Sequence, residues 1–291
     1  MTVPAFWRSS LDPERVMNVG TTHWQGNERQ QREDHLTVEE PFEVRIDQRS
    51  LAVIMRTPGH DQELAMGFLF TEGVIRQPGD VLTIEDATEA DGLPLANVVN
   101  VVLRHNEQQD MPLPSGDRLA FERHFAVSAS CGLCGKNSIA DLMVTTSPLQ
   151  VDDMRIPASI IYNLPAQLRA AQAVFTHTGG LHAAGLFTHA GELLLLREDV
   201  GRHNAVDKLI GHGLLYGTFP YPRHILMVSG RTSFEIIQKA LLARIPCIAA
   251  ISAPSSLAVE LADQAGVTLI GFLRDQSMNV YTHAERIVEN S

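Results

Sequence analysis

Cys131 and Cys134 bracket two residues inside Ser130-Cys131-Gly132-Leu133-Cys134-Gly135, and this pair is the most reactive chemistry the chain displays. A structural zinc site needs four ligands. The pair supplies two, there is no second CxxC, Cys247 falls in a predicted strand, and no histidine stands in a paired spacing with the cysteines. A thioredoxin-like redox centre places its CxxC where a strand feeds a helix in a βαβ unit, whereas this pair lies upstream of the α/β pattern, among glycines. The third use is sulfur carriage: a thiolate takes a sulfane sulfur from a donor persulfide by the attack that drives thiol–disulfide exchange. Gly132 and Gly135 suit a segment that meets two partners in turn. A carrier must then hold Cys134 away from the Cys131 persulfide or use it for release, because that second thiol can expel sulfide.

A second set of residues suits anions. Residues 225–228, 247–251 and 267–273 read as strands alternating with two helices, the first opening at a Thr232/Glu235 capping box and the second at Ser255-Ser256 and stopping at Gly266. Strand, helix, strand, helix, strand at this spacing predicts right-handed crossovers and a parallel sheet. Loops after such strands gather with helix N-termini at the carboxyl edge, where free N–H groups favour phosphate. Ser229, Gly230 and Arg231 lie in the first such loop and Arg274 in the third, so two cations meet at one edge. Upstream, Asp199 and Asn204 are candidate N-caps of a helix leading to Gly211, with Gly201, Arg202 and His203 at its approach and His182 after Gly179-Gly180.

These residues need a scaffold, and 291 residues allow about two domains at roughly 150 each. Hydrophobic residues make up 44% and charged residues 20%, a globular mix. Lys+Arg number 23 against Asp+Glu 34, a net charge of −11 that argues against a broad grip on nucleic acid. Three cysteines cannot build a disulfide scaffold, and the first thirty residues lack the apolar core of a secretory signal, which predicts a cytoplasmic protein with reduced thiols. The charge-free window 245–259 is too short to span a bilayer, so no membrane segment is expected.

Residues 1–35 are polar and without an apolar period, and are expected to form a loose arm. Residues 42–46 and 51–55 read as strands, 61–71 as a short helix stopped at Gly73, and 98–103 as another strand, an α+β domain over 36–125. A CxxC loop region at 126–150 follows, then an α/β domain over 151–291. In 160–175, Leu164, Leu168, Ala171 and Phe175 recur at helical spacing, and a helix starting near Pro165 is the simplest reading.

Five separated blocks resemble one family. They are the CxxC segment; Thr178-Gly179-Gly180-Leu181-His182-Ala183-Ala184; Glu198-Asp199-Val200-Gly201-Arg202-His203-Asn204-Ala205-Val206-Asp207-Lys208; Val228-Ser229-Gly230-Arg231-Thr232-Ser233-Phe234-Glu235; and Asn279-Val280-Tyr281-Thr282-His283. In this order, across about 39–288, they look like the FdhD family of formate dehydrogenase accessory sulfurtransferases. The resemblance implies that sulfur passes from a cysteine desulfurase, as a cysteine persulfide, to the molybdenum cofactor in its bis-molybdopterin guanine dinucleotide form, for formate dehydrogenase. Cys131 would carry the persulfide and Cys134 would be its companion. The cofactor-binding segment would be Phe272, Leu273, Arg274, Asp275, Gln276 and Ser277, with Ser229, Gly230, Arg231, His182, Gly201, Arg202 and His203 as further contacts. The family also implies a homodimer and a three-layer, cytidine-deaminase-like C-terminal domain. Deamination is not carried over, since zinc deaminases use HxE followed by PCxxC and His182-Ala183-Ala184 lacks the glutamate. Two other functions fit the residues: a cofactor-escorting chaperone with dispensable cysteines, and a CxxC thiol oxidoreductase.

Overall fold

The structure, a computed structural model, describes residues 14–88, 94–104, 147–150 and 153–289. Cys131, Cys134 and residues 111–128 lie outside the described residues. The chain opens with a hairpin, β1 (Val16–Gln25) and β2 (Glu28–Thr37), where a loose arm was expected. The strands turn through Gly26, at φ 60°, and Asn27, a short connection suited to a hairpin. Most of its side chains are exposed, so no apolar alternation betrays the pairing in the sequence.

Next come β3 (Glu40–Ile46), β4 (Arg49–Arg56), α1 (Asp61–Thr71), β5 (Val81–Thr88) and β6 (Pro94–Leu103), forming a sheet in the order β4-β3-β6-β5. The predicted strands and helix are all present. After the described gap follow β7 (Ile156–Pro157), α2 (Ala158–Ala171), α3 (Ala173–Thr178), β8 (His182–Thr188), β9 (Leu193–Asp199), α4 (Arg202–Tyr216) and β10 (His224–Val228). The chain continues through α5 (Phe234–Leu242), β11 (Cys247–Ala250), α6 (Ser256–Ala265), β12 (Thr268–Arg274), β13 (Ser277–Thr282) and β14 (Ile287–Val288).

The main sheet has six strands in the order β13-β12-β11-β10-β8-β9. Strands β10, β11 and β12 are parallel, as their spacing predicts, while β8, β9 and β13 add antiparallel neighbours. Alternation along β10 shows the layers. Ile225 and Met227 pack with Ile161, Leu164 and Leu168 of α2, whereas Leu226 and Val228 join the core that holds α4, α5 and α6. That second core continues into Phe42, Val44 and Leu64 of the first sheet and α1, so the two sheets share it.

Three local expectations need correction. Helix α2 begins at Ala158 and contains Pro165 in its interior, because buried Ile161, Leu164 and Leu168 hold a continuous face against the sheet despite the lost N–H. The N-cap position of helix α5 is Ser233, not Thr232, and its hydroxyl makes no capping bond; Thr232 is buried in a bridge to Pro254, and the Glu235 carboxylate is taken by Ser233 and His203. Helix α4 is entered at Gly201, holds Asn204 in its first turn, and ends at Gly217 rather than Gly211. Gly211 instead lies against α1, where a Cβ would overlap the Glu63 carbonyl, just as one on Gly67 would overlap that of Asp207. The two helices thus meet backbone to backbone. Ser255 does cap α6, accepting the Ala258 N–H at 3.2 Å.

A charged cluster at this junction makes the fold acid-sensitive. Arg197 holds Glu63 with two hydrogen bonds, of 2.5 and 2.7 Å, and His212 Nδ1 lies 3.0 Å from the same carboxylate. Burial alone would raise the Glu63 pKa, but these contacts outweigh it and bring the group from 4.5 to about 2. The folded carboxyl is therefore more acidic than the unfolded one, and its contribution is complete above pH 4.5 and lost as pH falls toward 2. Roughly 3 kcal/mol is at stake at full protonation. Urea titrations between pH 6 and pH 2.5 should show Glu63→Gln less stable than the parent at pH 6 and less acid-sensitive below pH 4.5; parallel curves would refute the assignment.

Candidate functional site

The carboxyl edge of the main sheet opens into a cleft of about 840 Å³ between β8, β10 and β12 on one side and α2 and α3 on the other. Its lining includes His182, Ser229, Leu273, Arg274 and Asp275, so five of the residues singled out in the sequence share one wall system. Ser229 is fixed by β8: its N–H donates to the Ala183 carbonyl at 3.0 Å, and its Oγ accepts the Ala183 N–H at 2.9 Å. Arg274 and Asp275 reach the cleft from the β12–β13 hairpin, in which Arg274 pairs with Ser277 around a two-residue turn. Leu273 is buried, while Phe272, at φ 52°, is 42% exposed and lies outside the cleft lining. Gln276 and Ser277 are exposed at the hairpin tip.

The remaining predicted residues gather behind His182, outside the cleft lining. A Cβ on Gly230 would meet the His182 ring at 3.2 Å and Arg202 Cβ at 3.6 Å, so a side chain there would press on the ring. Burial lowers the His182 pKa, and the charges of Arg202, His203 and Arg231 add to this, so the imidazole is neutral at pH 7. His203 is committed elsewhere, with Nε2 at 3.1 Å from Ser233 Oγ and 3.3 Å from Glu235. Its hydrogen bond is the main reason the Glu235 pKa falls to about 2, with the Ser233 hydroxyl helping against the opposing effect of burial. Gly201 gives its N–H to Asp199 at 2.8 Å. Arg202 Nε is buried with no partner among the described residues, and Arg231 is exposed.

The block from Glu198 to Lys208 also has a scaffold role. Glu198 accepts the Val174 and Phe175 N–H groups at the start of α3, one wall of the cleft. Asp199 is fully buried and paired with Lys208 at 2.7 Å. Asp207 takes Lys239 at 2.8 Å and the Thr71 hydroxyl at 2.9 Å.

Sequence reasoning missed the opposite wall. Tyr162, Pro165, Ala166 and Arg169 lie along one face of α2, followed by Gln172 and Phe175. Their spacing of three and four residues was available as a signal. Starting the helix at Pro165 hid Tyr162 and drew attention to the buried face instead. Among the described residues no group of three or more His, Cys, Asp or Glu is placed to hold a metal, and no helix is long and apolar enough to cross a membrane.

Residues 37–288 match the model of the FdhD/NarQ family. The Sulfur carrier protein FdhD of Streptomyces avermitilis is 50% identical over 261 residues, covering 88% of this chain and 90% of that protein. The protein of the same description from Saccharolobus solfataricus is 45% identical over 257 residues, covering 87% and 91%. A crystal structure of a protein assigned as a formate dehydrogenase accessory protein, from Desulfotalea psychrophila, superposes with a TM-score of 0.71. It is 24% identical, covers 94% of this chain and all of that one, and supports the mixed α/β fold.

Proposed function

Because the chain belongs to the FdhD/NarQ family, we propose that it is a sulfurtransferase that loads the molybdenum cofactor for formate dehydrogenase. The observation that carries this reading is the carboxyl-edge cleft, large enough for a nucleotide and flanked by Arg169 and Arg274 in a chain of net charge −11. Concentrating cations there suits a phosphate-bearing substrate, and the bis-molybdopterin guanine dinucleotide cofactor carries pyrophosphates.

Cys131 is the sulfur-bearing residue in this scheme. Its thiolate attacks the terminal sulfur of the cysteine desulfurase persulfide, forming a new S–S bond as the desulfurase thiolate leaves. Release follows when the Cys134 thiolate attacks Cys131 Sγ. The terminal sulfur departs as hydrosulfide, the cysteines are left as a disulfide, and Cys134 supplies the electron pair. The hydrosulfide then replaces an oxo ligand of molybdenum, whose oxygen leaves as hydroxide, and a dithiol reductant returns the cysteine pair to thiols before the next cycle. Ser229 and neutral His182 offer hydrogen bonds beside the bound substrate without adding charge.

Incubating the chain with desulfurase and cysteine tests the first step. Intact-mass spectrometry should show the gain of one sulfur atom, and peptide mapping should place it on Cys131. No gain, with cofactor still bound, would identify the chain as a cofactor-escorting chaperone. A reversible disulfide that reduces proteins without cofactor would identify a thiol oxidoreductase.

A further inference from the structure

We infer that the outer edge of β1 is a docking edge for the β1 strand of a second copy, antiparallel about a two-fold axis at Gly20. The two ribbons then merge into one sheet ordered β2-β1-β1-β2. Three features of the hairpin carry this, and none depends on what fills the cleft.

The first is isolation. Strands β1 and β2 pair from Val16↔Thr37 to Gln25↔Glu28 and gain no third strand among the described residues. The base of the ribbon is anchored, with the Thr37 hydroxyl donating to that of Thr178 at 2.8 Å. From Thr22 to Leu36, however, every residue is exposed. A two-stranded ribbon in that state is marginal in water, and further strands are what stabilise it.

The second is a difference between the two edges. Glu28, Arg29, Arg32, Glu33 and Asp34 charge β2, and charged side chains are the usual guard against pairing at a sheet edge. Strand β1 contains no Asp, Glu, Lys or Arg and is rich in the strand formers Val, Thr and Trp. It also leaves Met17 54% and Trp24 60% exposed. The unguarded edge is therefore that of β1.

The third is register. The two-residue turn at Gly26-Asn27 makes Gln25 and Glu28 a hydrogen-bonded pair. Alternate residues of β1, namely Val16, Asn18, Gly20, Thr22 and Trp24, consequently turn their backbone N–H and C=O groups outward. This set is symmetric about Gly20. A two-fold axis there places Val16 opposite Trp24, Asn18 opposite Thr22, and Gly20 opposite itself, with Met17 facing His23 and Val19 facing Thr21 between them. No like charges meet, and β-branched and aromatic side chains face one another. A Cβ on Gly20 would meet nothing within 4 Å, so this position accepts a side chain without disturbing the hairpin.

Sedimentation equilibrium of the full chain tests the inference, and the parent protein should sediment as a dimer. Thr22→Pro removes an outward N–H while leaving the β1–β2 ladder in place, and should weaken association by about a hundredfold, the worth of a few backbone hydrogen bonds. Gln31→Pro makes the same change on the outer edge of β2 and should leave the dimer intact. Gly20→Lys and Gly20→Glu each oppose like charges at the axis and should each weaken the dimer. Mixing these two variants should restore it, because residue 20 then meets its opposite charge. If proline disturbs the ribbon itself, the mixed pair still decides: absence of rescue would overturn the inference. So would a monomeric parent, a dimer indifferent to Thr22→Pro and to both Gly20 variants, or a dimer lost in Gln31→Pro but kept in Thr22→Pro.

Discussion

Replacing Cys131 with alanine should abolish sulfur delivery, lowering formate dehydrogenase activation at least a hundredfold, by about the factor expected when a covalent nucleophile is removed. The one cysteine among the described residues cannot substitute. Cys247 is fully buried in β11, so it meets neither a desulfurase nor a cofactor. Cys134 is the companion, and in the proposed scheme it acts after capture. Cys134→Ala should therefore still gain one sulfur atom from the desulfurase yet fail to release it, so the two variants separate capture from delivery. Melting temperatures of both variants, compared with the parent's, separate a loss of chemistry from a loss of fold. A Cys131→Ala protein that restores full formate dehydrogenase activity would refute the persulfide assignment.

The largest effect on stability is expected at Asp199. This fully buried carboxylate pairs with Lys208, whose side chain is also 0% exposed, and accepts the N–H groups of Gly201 and Thr57 and the Asn204 amide. Lys208 Nζ reaches one further oxygen, the Thr57 carbonyl at 2.8 Å. Asp199→Ala strands an ammonium group in the core and should cost about 3–5 kcal/mol in urea unfolding at pH 7. The loss has a pH signature. Burial already lowers the Lys208 pKa, and Asp199 is the main group opposing it. Without Asp199 the folded protein prefers neutral lysine while the unfolded chain still binds a proton, so the variant should regain stability as pH rises toward 10.5. A loss below about 1 kcal/mol, the range of an exposed pair, would show that solvent reaches the site.

Legibility followed the apolar pattern. Strands β10, β11 and β12 are short runs buried on both faces and separated by glycine or hydroxyl punctuation, so their order and parallel sense could be read directly. Ser229, Arg274 and Asp275 could be placed at one edge for the same reason. The β1–β2 hairpin could not be read, since its register is written in backbone pairing with almost no buried side chains. Asp199 and Asn204 misled as caps because the same polar groups serve distant partners, Thr57 and Met55, while Thr232 is held by its backbone in the bridge to Pro254. Local spacing carries no information about a partner more than a hundred residues away. The α2 wall was hidden by one proline, which weakens a helix without ending it when three buried residues hold it down.

The touching glycines of α1 and α4 bear on how such chains diverge and can be rebuilt. With carbonyls pressed where side chains would stand, neither helix can slide or rotate to absorb a change in the other. Hybrids between distant relatives that join a foreign front half to this back half would break the fit at this seam. A successful graft must therefore take both helices from one parent.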